Sequence, residues 1–246
     1  MFGLVLAALL SVSDPVGDVP PPGYAWPQAE VYQAVGFADL VAFRAENREG
    51  ELWVGFRLDR TPNPGGAPLG FSLAVLADFI DTAPGGVSRL PEVGFSVPEG
   101  KEPDLVVVAS GWGAMRVALP TGGADSLTAR REGEWIYVNT GLPAGRYRHY
   151  PVVGLYDPFA PLGFRKPSPV GGLWRPKAPP GAPAAVDVLD AAAFETGVLY
   201  PSAVDVQKRL RPLLSAGLAV ISGLFFAWGA VGWMRRRRAA KNATDS

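Results

Sequence analysis

The sequence contains no cysteine and only one histidine, His149, among its 246 residues. The fold therefore uses no disulfide bonds, and a zinc site built from cysteine and histidine has no ligand set. Neither sign of charge is in excess, because 23 basic residues balance 23 acidic ones. Outside residues 235–246 the chain carries 18 basic and 22 acidic residues and no basic cluster. This composition argues against a nucleic-acid partner.

Charged residues are also absent from residues 212–234, PLLSAGLAVISGLFFAWGAVGWM, and Arg235 to Arg238 follow directly. These 23 residues would form a helix about 34 Å long, and a bilayer core is about 30 Å thick. Four arginines stop transfer and remain in the cytoplasm. We therefore predict a single-pass plasma-membrane protein with a cytoplasmic basic tail, residues 235–246, and an extracytoplasmic body.

Positive charge is missing from the N-terminus, where no Lys or Arg precedes Arg44. Residues 1–13, MFGLVLAALLSVS, form a short apolar run that ends in small residues. This pattern suits a secretory signal peptide cleaved before Asp14, although the positive first region is lacking. The alternative interpretation is a buried first strand.

Within the predicted membrane helix, small residues recur at every fourth position: Ser215, Ala219, Gly223 and Ala227. Such a stripe lets helices approach closely, so it indicates a homo-oligomer or a helix partner. The alternative is that small residues are simply frequent in membrane helices.

Glycine and proline are plentiful, with 30 and 25 residues, as is natural for short strands joined by turns. Leu52, Val54, Phe56 and Leu58 alternate with more polar neighbours, which is the period of a strand. Residues 71–80 are apolar on both faces and predict a central strand buried on both sides. Further strands are predicted at 40–44, 105–109, 114–119, 127–131, 135–139 and 152–156. The sequence thus predicts an all-β protein, a β-sandwich, followed by one transmembrane α-helix.

Several short motifs occur in a recognisable order, beginning with DPVGD at 14–18, PGYAWP at 22–27 and GFADL at 36–40. They continue with NPGG at 63–66, GFSL at 70–73, FIDT at 79–82, YDPF at 156–159 and VDVL at 186–189. This order resembles the glucodextranase C-terminal domain family, which comprises DOMON-like sandwiches of jelly-roll or immunoglobulin-like type related to family 9 carbohydrate-binding modules. The resemblance assigns residues 14–210 to one such domain.

The resemblance implies a non-catalytic module that binds carbohydrate, such as a glucan, at the cell surface. It also implies a neighbouring glycoside hydrolase or another envelope protein as a partner. Two positions depart from the family pattern: a second acid is replaced by Val19, and an aromatic residue is replaced by Gly65.

Acidic residues suggest a calcium site, because this cation needs several oxygen ligands. Asp14 and Asp18 lie on a bent segment and would supply some, with Asp157 or Asp187 completing the site from a distant part of the chain. The alternative is that Asp14 and Asp18 only order the turn by hydrogen bonds to nearby backbone N–H groups.

Aromatic residues suggest a sugar site, because sugar rings bind flat against exposed aromatic faces. Trp53 points away from the apolar face of its strand, and Trp112 lies in a predicted loop. Other aromatic candidates lie near turns: Trp26, Tyr24, Trp174 and Tyr150. The alternative interpretation is that each of these aromatics packs in the core or covers a sheet face.

A haem-binding DOMON module is a further hypothesis, since Met115 and His149 would supply one axial pair. No spacing marks a pair of catalytic carboxylates or a nucleophile elbow, so we do not predict an enzyme. The leading prediction is a membrane-anchored carbohydrate-binding module. Its alternatives are a structural module that docks an envelope protein without sugar specificity and, third, the haem module.

Overall fold

The computed structural model describes residues 7–34, 36–119 and 121–202. Within them the protein is all-β, and its eleven strands form two antiparallel sheets. The strands are β1 (Ala7–Ser13), β2 (Leu40–Arg48), β3 (Glu51–Leu58), β4 (Ala74–Asp81), β5 (Leu105–Ser110), β6 (Gly113–Ala118), β7 (Ala124–Leu127), β8 (Ala129–Glu132), β9 (Trp135–Pro143), β10 (Arg148–Leu155) and β11 (Ala185–Val188). A 3-10 helix, Glu30–Tyr32, and a short α-helix, α1 (Ala193–Thr196), complete the described elements.

The first sheet has the strand order β1-β2-β3-β9-β8, and the second has the order β11-β10-β4-β5-β6-β7. Alternate side chains of both sheets meet in one apolar core, which includes Phe43 and Phe56 from the first sheet and Ile80 and Val153 from the second. This packing confirms the predicted all-β sandwich.

The second sheet is also covered on its outer face. Phe79, Tyr150 and Val152 pack there against residues of long connections, among them Phe95 and Phe164. All residues of β4 except Asp81 are therefore buried, which confirms the prediction of a central strand apolar on both sides.

Two predicted strands differ notably from the structure. The strand predicted over residues 71–80 begins only at Ala74. Residues 127–131 were expected to form a single strand, but they contain the end of β7 and most of β8. The two strands belong to different sheets, β7 pairing with β6 and β8 with β9. The chain thus crosses between the sheets at Thr128, a change that the apolar pattern does not show.

The N-terminal residues form an edge strand. β1 pairs with β2 from Ala7 opposite Asn47 to Ser13 opposite Ala42, and Asp14 N donates to Val41 O at 3.1 Å. This pairing agrees with the alternative of a first strand, but residues 8–13 are exposed or half-buried and the strand is not a buried one. Cleavage before Asp14 stays a prediction.

The predicted membrane helix, its small-residue stripe and the basic tail lie outside the described residues. In the ranges that the structure does describe, no helix has the length and apolar character needed to cross a membrane.

Candidate functional site

An aromatic ridge is formed by Trp112 and Tyr156 beside the second sheet. Trp112 lies in the turn between β5 and β6, and Tyr156 follows the last residue of β10. Their rings stack with centroids 4.9 Å apart and planes inclined by 22°. Trp112 remains 49% exposed, so one face of this platform is open to a ligand.

Two clefts flank the aromatic ridge and share its two residues. One cleft, of about 540 Å³, extends towards Trp174 and Tyr32 and is lined in part by Arg165. The other, of about 420 Å³, extends along Ser126 and Asp157. Both volumes lie in the range of small-molecule sites, which is roughly 300–1,000 Å³.

Arg165 fixes the positions of the aromatic residues around the larger cleft. Its guanidinium donates to the carbonyl oxygen of Trp174 at 2.5 Å and to that of Tyr156 at 2.8 Å. Its Nε lies 4.0 Å from the carboxylate of Asp157. Trp174 is itself 54% exposed and meets the ring of Tyr32 edge-on. The larger cleft therefore has two aromatic surfaces, the aromatic ridge and Trp174, whose backbones are held by the Arg165 guanidinium.

The other predicted aromatic residues serve packing. Trp53 does point away from the inter-sheet core, but it is only 8% exposed because the guanidinium groups of Arg130 and Arg48 lie 4.5 Å and 5.2 Å from its ring. Trp26 packs on Phe37 with ring centroids 4.9 Å apart. The hydroxyl of Tyr24 donates to Pro183 O at 2.8 Å. Tyr150 is fully buried, so Trp112 and Trp174 are the predicted aromatic residues that lie on an open surface.

Asp157 lies beside the aromatic ridge and not with Asp14 and Asp18. One of its carboxylate oxygens accepts a hydrogen bond from Phe159 N at 3.1 Å, and the other faces Arg165. The structure instead brings Asp187 to Asp14 and Asp18, with carboxylate oxygens of all three within 4.8 Å of one another.

Burial and mutual repulsion change the acidity of this group. Burial raises the pKa of Asp187 to about 9, although the backbone N–H of Leu40 donates to its carboxylate at 2.5 Å. Burial and the neighbouring charge of Asp18 raise the pKa of Asp14 to about 7. The pKa of Asp39 is also raised, chiefly by burial.

Met115 and His149 do not form an axial pair. His149 faces the inter-sheet core, with its ring centroid 5.6 Å from that of Phe43, and its Nδ1 lies 2.7 Å from the carboxylate of Asp78. Met115 packs on the opposite face of the same sheet. The structure thus contradicts the geometry that the haem hypothesis requires of these two residues.

Sequence reasoning did not select Tyr156 or Asp39 as site residues, and it noted Trp174 only as an aromatic residue near a turn. Tyr156 and Trp174 were separated from Trp112 by long connections, and no local pattern joins them. For Asp39 the sequence offered one signal, an acidic residue directly before an apolar strand. The structure shows that this residue is almost completely buried.

The half-exposed aromatic ridge between two clefts is a surface that can accept a ligand. The family model described as the C-terminal binding module, SLH-like, of glucodextranase matches residues 9–196. The chain therefore belongs to this family, as its motifs suggested. No curated protein matches the chain.

Proposed function

We propose that this chain is a non-catalytic carbohydrate-binding module held at the cell envelope by one membrane helix. The family is a binding module, which supports the non-catalytic assignment. The observation that carries the proposal is Trp112, which stacks on Tyr156 between two clefts and remains half exposed. Apolar faces of sugar rings would lie on this indole, and their hydroxyl groups would meet Asp157 and Ser126 at the cleft wall.

The binding test uses the full chain in a zwitterionic detergent without a sugar headgroup, because maltoside detergents would compete for the site. Isothermal titration would measure affinity for dextran, starch-type glucan and purified envelope polysaccharide. Trp112→Ala should weaken binding at least about tenfold, which corresponds to about 1.4 kcal/mol.

Tyr200→Ala is the matched control, since Tyr200 is an exposed aromatic residue that lines neither of the two clefts. Its affinity should equal that of the unaltered protein. Binding that survives Trp112→Ala unchanged, or the absence of binding to any of these polysaccharides, would contradict the proposal.

Docking of an envelope protein is the second candidate, and the exposed side chain of Phe159 favours it. Phe159 is almost fully exposed next to Pro158, which lines both clefts. A photo-cross-linking amino acid at position 159 would distinguish the two candidates in whole envelopes. A protein partner gives a discrete adduct that protease destroys, whereas a polysaccharide gives an adduct that survives protease and is shortened by glycosidase.

Anchoring is proposed from the sequence of residues 212–238, an uncharged run of membrane length followed by four arginines. It would place the aromatic ridge outside the cytoplasm, where envelope or external glucans are available. The DOMON-like classification and a glycoside hydrolase partner belong to the same proposal.

A further inference from the structure

Three buried carboxylate oxygens without hydrogen-bond partners lie near the point where β11 of the second sheet contacts the start of β2 in the first. They belong to Asp14, Asp18 and Asp39. Asp39 is only 1% exposed, and its second carboxylate oxygen accepts a hydrogen bond from Gly17 N at 2.6 Å. That bond turns the Asp39 carboxylate towards the segment that carries Asp14 and Asp18. Because an unpaired buried carboxylate oxygen is costly, the group needs a further partner.

No ion pair supplies that partner within the described residues. The acidic groups that pair with Lys, Arg or His there do not include Asp14, Asp18, Asp39 or Asp187. Asp187 is 3% exposed, so four carboxyl groups share one largely buried place without a neutralising side chain.

The spacing of the oxygens fits one particular class of cation. Oxygen ligands of Ca²⁺ lie at 2.3–2.6 Å from the ion, so opposite ligands are separated by roughly 4.6–5.2 Å. Carboxylate oxygens of Asp14, Asp18 and Asp187 all lie within 4.8 Å of one another. Mg²⁺ would need ligands closer together, in octahedral order and with several retained waters, and Zn²⁺ prefers nitrogen and sulfur.

We propose that Asp14, Asp18, Asp39 and Asp187 bind one calcium ion that joins the two sheets where β11 contacts the start of β2. Asp14 directly follows β1, Asp39 directly precedes β2, and Asp187 lies on β11 of the second sheet. The hydrogen bond from Leu40 N to Asp187 already links these sheets at the same point. Because the chain has no cysteine and so no disulfide, the ion would be the cross-link between the two sheets at this point.

Calcium binding by the full chain in detergent tests this site. The protein would be stripped with EDTA, dialysed and titrated with CaCl₂, and the melting temperature would be followed by tryptophan fluorescence. We expect one Ca²⁺ per chain and a melting temperature that rises with calcium concentration. MgCl₂ at the same concentration should not replace it.

Asp18→Asn is the diagnostic variant because Asp18 is only half-buried and lies outside the strands. It should lower calcium affinity at least about tenfold. Asp187→Asn provides a second, independent test from the other sheet. Asp157→Asn is the matched control and should bind calcium like the unaltered protein. A full chain that binds no calcium, or calcium affinity unchanged in both Asp18→Asn and Asp187→Asn, would overturn the proposal.

The proposals of a calcium site and of a sugar site can be disproved independently. Trp112→Ala should retain the calcium-dependent rise in melting temperature, because Trp112 contributes nothing to the acidic group. Loss of that rise in Trp112→Ala would contradict the assignment of the ion to these four residues.

Discussion

Gly65 allows the indole of Trp112 to lie close to the loop that precedes β4. An added Cβ at this position would be 3.2 Å from Trp112 Cζ2 and 3.1 Å from Ser72 Cβ. The resemblance places an aromatic residue at this point of the family pattern. In this chain the space beside Gly65 is taken by the indole of Trp112, so the aromatic surface comes from a different turn.

Gly65→Ala should therefore weaken glucan binding severalfold with little loss of stability. The new methyl group would displace the half-exposed indole and buried Ser72 by a few tenths of an ångström. These two nearest neighbours of Gly65 lie outside the apolar core between the sheets. Titration and thermal unfolding of the full chain measure the two effects. Gly123→Ala is the control, because no atom lies within 4 Å of its added Cβ. Equal affinities for both variants would contradict this role of Gly65.

For Trp53, the sequence of its own strand predicts the side of the sheet but not the exposure of the side chain. Alternation along β3 places Trp53 correctly on the side away from the core. Its burial depends on Arg48 from β2 and Arg130 from β8, which are brought there only by sheet pairing. Exposure of an aromatic side chain is thus a property of several strands, and local sequence does not determine it.

Two polar pairs link β4 and β10, and they differ in burial. The carboxylate of Asp78 lies 2.7 Å from His149 Nδ1, and both side chains are fully buried. The carboxylate of Asp81 lies 2.5 Å from the guanidinium of Arg148, whose side chain is 45% exposed. Burial raises the pKa of Asp78, and the hydrogen bond with His149 opposes that rise. The first pair therefore carries a desolvation cost that the second avoids.

His149→Ala should destabilise the fold by about 3–5 kcal/mol, because Asp78 would lose its buried partner. Arg148→Ala, one residue away, should cost no more than about 1 kcal/mol, as partly exposed ion pairs do. Urea unfolding followed by tryptophan fluorescence gives both values. The double variant Asp78→Leu with His149→Phe should be more stable than His149→Ala alone. A double variant at least as unstable as that single variant would contradict the prediction.

At the scale of whole elements, the sequence predicts the strands with regular alternation, but it does not predict which strands pair with one another. β3 and β4 follow from period-two patterns and apolar runs. The crossing at Thr128 and the cover over the outer face of the second sheet depend on contacts between distant segments. The acidic site has the same origin, since Asp14, Asp39 and Asp187 are far apart in sequence and meet only at the edge strands. Local pattern predicted Asp14 and Asp18, and sheet topology selected Asp187 over Asp157.

At the scale of the whole molecule, the proposed anchor and the proposed ligand support each other only if the sandwich faces outward. The absence of cysteine makes this orientation directly measurable, because one introduced cysteine is the only thiol in the chain. Thr121 is exposed in the turn between β6 and β7, and Ala240 lies in the basic tail. Among the described hydrogen bonds, none involves the Thr121 side chain, so its replacement by cysteine removes no described side-chain contact.

Thr121→Cys should react with a membrane-impermeant maleimide in intact cells, since hydrocarbon excludes the four arginines and keeps the tail inside. Ala240→Cys should react only after permeabilisation, and the cysteine-free parent controls for background labelling. Carbonate-resistant membrane association of both variants would be measured on the same samples. Labelling of Ala240→Cys but not Thr121→Cys in intact cells would reverse the topology and separate the aromatic ridge from any external glucan. Release of the full chain into the soluble fraction would contradict the anchor itself.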